Sequence, residues 1–376
     1  MKQLFTFILL FLFSWTISGQ LTTPPSGQNN KSVVTQYIGS LAHVTITYNS
    51  PDVTAPNGQD RRGQIWGQLV PYGLTDLGFG LRTPAPWRAG ANENTTIELS
   101  HDMEIQGQPI AAGTYGFHVI VEESGPWTII LSHNSTAWGS YFYKPEDDAL
   151  RVQATPESNE YHEWLTYEFT DRQPSQTTCA LMWENVKLPF TISVPNMNEI
   201  YFAQMEKELE NAPGFNWQSW AQAANFAAQN NMHLDKALNW AENAISGAFV
   251  GVENYQTLST KAAVLNAMGN TDDAMSIMDK AVNHVTANSG QIHNYGRQLI
   301  AAGKADQALK IFKMNHERFN GAWPTEVGMM RGYSAVGQYN QAVKHAEIAL
   351  SQAPDQINKD NISASIERLK KKEDIN

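Results

Sequence analysis

Only one cysteine, Cys179, occurs in 376 residues. A single thiol excludes an intramolecular disulfide framework and a zinc ribbon or finger. Basic charge is also scarce, with 26 Lys and Arg against 37 Asp and Glu and a formal net charge of −11. An acidic chain disfavours polyanions as partners, whether nucleic acid or an anionic membrane surface. Hydrophobic residues make up 42% of the chain and charged ones 17%, a composition that builds real cores and excludes disordered and collagen-like classes. Past the N-terminus there is no apolar run long enough to span a bilayer.

Familiar catalytic signatures are missing as well. There is no Gly-x-Ser-x-Gly elbow, no His-Glu-x-x-His, no phosphate loop and no dinucleotide fingerprint. Among 10 histidines none pair at metal-ligand spacing on one expected element. Ser100-His101-Asp102 are chain neighbours, whereas a nucleophilic triad is assembled from separated positions, so a loop between strands is expected there. Glu146-Asp147-Asp148 lacks the alternating oxygen ligands of an EF-hand and reads as a solvated acidic turn. No cofactor and no metal is expected.

What is present begins with an address. Lys2 precedes the apolar run Leu4 to Phe13, and small residues follow at Ser18 and Gly19. This pattern predicts a secretory signal peptide over residues 1–19, cleaved before Gln20, and a soluble exported chain, periplasmic or secreted. From residue 20 to 196, 9 Lys and Arg face 18 Asp and Glu, against 16 and 19 from residue 197 onward, so the acidity is concentrated in the first part.

That part alternates with period two. Ala42, Val44, Ile46 and Tyr48 form one apolar set, Tyr115, Phe117, Val119 and Val121 another. Leu165, Tyr167 and Phe169 follow, then Leu188, Phe190, Ile192 and Val194. Further strand signals lie at 33–37, 95–99, 127–131, 150–154 and 178–183. About nine such strands with no helical period between them predict an antiparallel β-sandwich, with a closed barrel as the alternative. Cys179 shares parity with Leu181 and Trp183 and is expected to be a buried small hydrophobe.

Three strings carry a resemblance. Arg62-Gly63-Gln64-Ile65-Trp66-Gly67-Gln68-Leu69-Val70-Pro71-Tyr72-Gly73, Trp87-Arg88-Ala89-Gly90-Ala91-Asn92-Glu93-Asn94-Thr95-Thr96 and Ala112-Gly113-Thr114-Tyr115-Gly116 resemble an exported bacterial domain family of unknown function. Gln64 departs from the second basic residue expected there, and Leu74 to Pro86 looks inserted. The resemblance implies a domain boundary and an exported setting, but no chemistry.

From Pro213 a helical period takes over. Ala274, Ala308 and Ala342 recur at a spacing of 34, as do Gly269, Gly303 and Gly337, with an earlier copy around Ala237. The pattern resembles the tetratricopeptide repeat, in which Gly turns between paired helices and small Ala lets them approach closely. The expected architecture is therefore a β + α two-domain chain, an N-terminal antiparallel β-sandwich and a C-terminal all-α tetratricopeptide-like superhelix. Its expected segments are a signal peptide (1–19), the sandwich (20–196), a linker helix (197–212), four repeats (213–354) and a capping helix with tail (355–376).

In such arrays the first helix of each pair lines a groove. Carrying the repeat's groove positions across places Gln222, Phe226 and Gln229, then Ser259 and Asn266, then His293 and Arg297, then Val327 and Arg331 along it. Arg297 and Arg331 share one repeat position and are expected side by side, able to hold a partner's carboxylate. On the sandwich, the loop Trp87, Arg88, Asn92 and Glu93, with Arg62 and His118, is the best polar candidate for a small ligand or a general acid–base pair. An Arg88–Glu93 ion pair is the purely structural use of that loop. Trp87, Trp138 and Trp164, with Tyr141 and Tyr143, offer flat surface for a glycan, or simply packing. The leading expectation is a non-enzymatic interaction protein that binds a protein or peptide in the groove. The alternative is an enzyme or a glycan- or small-ligand-binding protein with its site around Arg88 and Glu93.

Overall fold

The computed structural model describes residues 29–376, which divide into two compact units at Met197. The expected signal peptide lies outside the described residues.

Where the sequence alternates, the chain forms two antiparallel sheets. One has six strands: β1 (Asn30–Ile38), β2 (Ala42–Ser50), β3 (Thr96–Leu99), β6 (Gly113–Ile120), β7 (Trp127–Ser132) and β8 (Asp148–Ala154), paired in that order. The other has four, in the order β5 (Gln108–Ile110), β4 (Met103–Ile105), β10 (Gln176–Ser193) and β9 (Glu157–Gln173). Both sheets keep open edges, so the arrangement is a sandwich and not a closed barrel. Its middle is aromatic: Phe117 of the larger sheet lies 5.5 Å from Phe190 and 5.8 Å from Tyr167 of the smaller, and Tyr48 lies 4.8 Å from Tyr167.

Two features depart from the alternation. The segments expected as separate strands at 178–183 and 188–194 are one strand, β10, which absorbs the break in parity by bulges on either side of Glu184. Glu184 adopts a left-handed φ of 53°, and its carboxylate accepts the Gly63 N–H. Second, the outer face of β6 is covered. Residues 51–95 and 133–147 bring Ala85 and Tyr143 against Ile120 and Ile130, so His118, which lies opposite the core parity of Phe117 and Val119, is 2% exposed. Cys179 is fully buried, and burial pushes its thiol pKa well up, as for an inert core residue.

The second unit contains ten described helices. They are α1 (Met197–Leu209), α2 (Trp217–Gln229), α3 (Leu234–Ser246), α4 (Tyr255–Ala267) and α5 (Thr271–Asn283), followed by α6 (Ser289–Ala301), α7 (Ala305–Arg318), α8 (Trp323–Ala335), α9 (Tyr339–Gln352) and α10 (Gln356–Lys370). From α2 to α9 they form four antiparallel pairs, a tetratricopeptide-like array. Capping boxes at Asn254/Thr257 and Asn288/Gln291 satisfy the orphan donors that begin α4 and α6. Gly269, Gly303 and Gly337 turn between partners at φ 82°, 73° and 73°, a region that only glycine enters freely.

Small residues carry the contacts. Ala237, Ala241 and Ala244 of α3 are buried, as are Ala342, Ala346 and Ala349 of α9. Phe312 of α7 is the most deeply buried of the large residues among them. Its ring fills a hole made by three glycines, Gly296 on α6 and Gly328 and Gly332 on α8, where an added Cβ would come within 2.6–2.8 Å of the ring. At the array's start α1 adds Phe202 and Leu209 to the core of α2 and α3. At its end α10 packs Ile362, Ile366 and Leu369 against the alanines of α9. No described helix is long and apolar enough to cross a membrane.

Candidate functional site

The sandwich unit holds a cavity of about 390 Å³ beside the Trp87–Glu93 loop. Trp87, Arg88, Gly90 and Ala91 line it from that loop, Asp52 and Arg61 from the segment after β2, and Trp183 from β10. The loop is built to stay put. Ala89 and Asn92 hold left-handed φ of 51° and 54°. The Ala89 carbonyl accepts from the Tyr167 hydroxyl at 2.9 Å and from Thr95 at 3.2 Å, and a Cβ on Gly90 would fall 2.5 Å from the Thr95 hydroxyl. Only a glycine at 90 lets the loop close over the strand beneath.

Arg88 donates to the Asn92 carbonyl, lies 5.0 Å above the Tyr141 ring and packs on Gly139, where a Cβ would sit 2.2 Å from the guanidinium carbon. Three contacts therefore aim this cation. His118 Nδ1 pairs with Ser140 Oγ at 3.0 Å, and Ser140 lines the cavity. Burial, with Arg88 as the second cause, lowers the His118 pKa to about 4, so the ring is neutral at physiological pH. Arg61 donates to the carbonyls of Asp52 at 2.7 Å and Val53 at 3.1 Å. Burial and the neighbouring Glu163 raise the Asp52 pKa, with Arg61 and Trp164 opposing.

Aromatic rings form one wall. Trp87 and Trp183 stack at 6.1 Å and 17°, and Trp66 meets both edge-on at 5.8 Å. The Trp183 indole N–H is buried without a protein acceptor, a deficit worth about 1–3 kcal/mol that an acceptor on a ligand relieves. The cavity thus combines stacked indoles, two guanidinium groups and a carboxyl, suited to a small molecule with a flat face and an anionic end.

Of the residues expected at this site, Trp87 and Arg88 line the cavity and His118 supports its Ser140 wall. Asn92 acts through its carbonyl on Arg88, while Glu93 is exposed and accepts from Asn49 at 2.8 Å, so no Arg88–Glu93 ion pair forms. Arg62 lies outside, ion-paired with Asp60 at 2.6 Å, and its neighbour Arg61 takes the inward place. Trp138 and Trp164 are 54% and 60% exposed and join no common platform with Trp87. Asp52, Arg61 and Trp183 escaped the sequence reading because each lies far along the chain from the loop, with no motif of its own. Ser100, His101 and Asp102 occupy the turn between β3 and β4, as expected.

In the helical unit, His293 and Arg297 on α6 come together with Arg331 on α8. Burial, then Arg331 and Arg297, lower the His293 pKa to about 4, leaving a neutral ring between two cations. Burial and Arg297 also depress Arg331, opposed by Asp374. Residues 374–376 lie against the same helix: the Ser334 hydroxyl donates to Asp374 at 2.7 Å and the Asn376 amide donates to the Arg331 carbonyl at 3.1 Å. Asn266, on α4, is exposed and takes no part in these interactions.

Residues 29–192 match the family model described as a protein of unknown function, DUF2911. The DUF2911 match takes in every cavity-lining residue named above and ends inside β10. Among solved structures the chain is similar to YrrB, described as a tetratricopeptide repeat protein with an unusual peptide-binding site, at 19% identity over 45% of this chain and 84% of that one, with a TM-score of 0.32. It is also similar to a tetratricopeptide repeat protein from Parabacteroides merdae, at 16% identity over 46% and 69% of the two chains and a TM-score of 0.32. MamA AMB-1 shares 13% identity over 42% and 84%, with a TM-score of 0.29. No curated protein matches the chain.

Proposed function

We propose that this chain is a non-enzymatic interaction protein whose helical unit takes an extended peptide carrying a carboxylate at Arg297 and Arg331. The observation that carries this reading is the placement of these two guanidinium groups one repeat apart on α6 and α8, helices that pack against each other, in a chain of net charge −11. Two neighbouring cations repel, and a shared carboxylate turns that repulsion into two charge-assisted hydrogen bonds, each worth about 1.5–3 kcal/mol. The docking of Asp374 and Asn376 beside Arg331 supports the reading, since α8 there already accepts an extended segment carrying a carboxylate. A fluorescent peptide with the sequence of residues 371–376 is the probe. Saturable binding to the full chain is expected, weakened on the order of 100-fold by R297E/R331E, a loss of about 3 kcal/mol. Asp374→Ala, which frees the helix from the chain's own segment, is expected to tighten it. Equal binding by R297E/R331E and the unaltered chain sinks the reading.

We further place the protein outside the cytoplasm, on the signal-like residues 1–19. The mature chain is then expected to begin at Gln20 when recovered from its native compartment, and a retained Met1 contradicts this.

The unpartnered Trp183 N–H favours a second reading, in which the sandwich cavity binds a small ligand by its indole wall and Arg88. Arg88→Ala is expected to abolish saturable ligand binding and Arg62→Ala to leave it intact, because Arg62 lies outside the cavity.

A further inference from the structure

Three side chains that no sequence motif links converge between the last repeats. His316 lies in the final turn of α7, Glu326 in the first turn of α8 and His345 in the middle of α9. His316 Nε2 is 2.9 Å from one Glu326 oxygen, and His345 Nδ1 is 2.6 Å from the other. Among the described residues this is the group of His, Cys, Asp and Glu whose potential ligand atoms all lie within 4.8 Å of one another.

The repeat shows that the fold does not need them. One period of 34 earlier, the corresponding positions are Val282, Ile292 and Ile311, which pack into a single apolar cluster. The last interface puts two imidazoles and a carboxylate where its sibling puts aliphatic side chains. A buried polar or ionic trio is on average no more stabilising than apolar residues of similar volume, so stability alone does not account for the exchange.

The surroundings suit a ligand. The Glu326 side chain is 5% exposed, while the imidazoles of His316 and His345 keep 30% and 18%, so solvent reaches the cluster from the histidine side. His345 is oriented by stacking on Tyr333 at 5.4 Å and 17°. Gly321, in the α7–α8 turn at φ 65°, leaves room: a Cβ there would stand 3.2 Å from both Glu326 Oε1 and His316 Nε2.

We propose that His316, Glu326 and His345 bind a divalent transition cation of the zinc class, through His316 Nε2, His345 Nδ1 and a Glu326 oxygen. Both imidazoles ligate as neutral rings, with the remaining proton on the other nitrogen, and two histidines with one carboxylate leave a fourth position for water. Bonds of about 2.0–2.1 Å in tetrahedral geometry separate ligand atoms by roughly 3.3 Å. The His–Glu spacings of 2.9 and 2.6 Å need to widen by roughly 0.4–0.7 Å, within reach of side-chain rotation. Imidazole nitrogen selects zinc-class ions over magnesium and calcium, which take oxygen ligands. The bound ion ties α7, α8 and α9 together.

The test uses the full chain, stripped with chelator and titrated with zinc chloride or magnesium chloride in a calorimeter. One zinc per chain is expected, no magnesium binding of comparable strength, and a thermal midpoint that rises with zinc. His316→Asn alters the most exposed ligand and Glu326→Gln keeps the carboxylate's shape; each is expected to weaken zinc at least tenfold. The triple exchange H316V/E326I/H345I restores the sibling repeat's apolar trio and is expected to fold while losing the zinc response. Absence of stoichiometric zinc binding by the unaltered chain overturns the proposal. So does undiminished zinc binding by the triple variant, which assigns the ion to other surface histidines.

Discussion

The two units reach a dense core by opposite means. Between its sheets the sandwich packs wide rings such as Phe117, Tyr167 and Phe190, because two sheets stand about 10 Å apart and the gap must be filled. The helical array brings its partners close on Ala237, Ala241, Ala342 and Ala346, and seats its most deeply buried ring, Phe312, where three glycines make a socket. Sheets need volume between them, and paired helices need its absence. The sandwich is therefore vulnerable to truncation, and the array to both truncation at rings such as Phe312 and enlargement of its small residues.

Truncation tests the shared part of that contrast. Phe117→Ala and Phe312→Ala are each expected to cost about 3–5 kcal/mol, read as a fall in the denaturation midpoint. If Phe312→Ala costs less than about 1 kcal/mol, the socket has collapsed around it and the array is more plastic than the sandwich. Acid sharpens the contrast next. His118 titrates near pH 4 in the fold, below its ordinary value of 6.5. The unfolded chain therefore binds more protons between those values, and stability rises with pH through that window and is lost as pH falls from about 6.5 to 4. The sandwich's loss from this group is expected to be about 2–3 kcal/mol. His118→Gln is expected to flatten that pH slope, and an unchanged slope would place the sensitivity elsewhere.

Enlargement should separate the units. Gly296→Ala drives a methyl to within 2.6 Å of the Phe312 ring and is expected to cost about 1–3 kcal/mol. Gly107→Ala, in the β4–β5 turn with nothing within 4 Å, meets only the strain of φ 73° and is expected to cost less, about 1 kcal/mol. Equal costs at the two glycines would mean that backbone conformation, and not socket packing, governs the array. The smallest expected effect is at the surface, where Arg62→Ala removes a solvent-exposed ion pair and should leave the denaturation midpoint unchanged.

Much of this was legible in the chain itself. The spacing of 34 placed the turn glycines and buried alanines correctly because each repeat makes the same local contact. Period-two alternation located most strands for the same reason, each side chain's face following from its parity. It failed at Glu184, where bulges let one strand change parity and continue, and at His118, whose face is covered by segments distant in sequence. The Trp87–Glu93 loop was recognisable from its composition, but which of its side chains look inward was not. Arg61 and Arg62 are adjacent and chemically alike, and only the carbonyls of Asp52 and Val53 decide that Arg61 faces the cavity.

The sequence by itself thus determined the two-part architecture and the phase of the helical repeat, both properties set by local periodicity. The tertiary structure alone decided the cavity wall, the neutral buried state of His118 and the meeting of His316, Glu326 and His345. Those depend on side chains brought together from separate elements, and no local pattern encodes which distant residue arrives opposite.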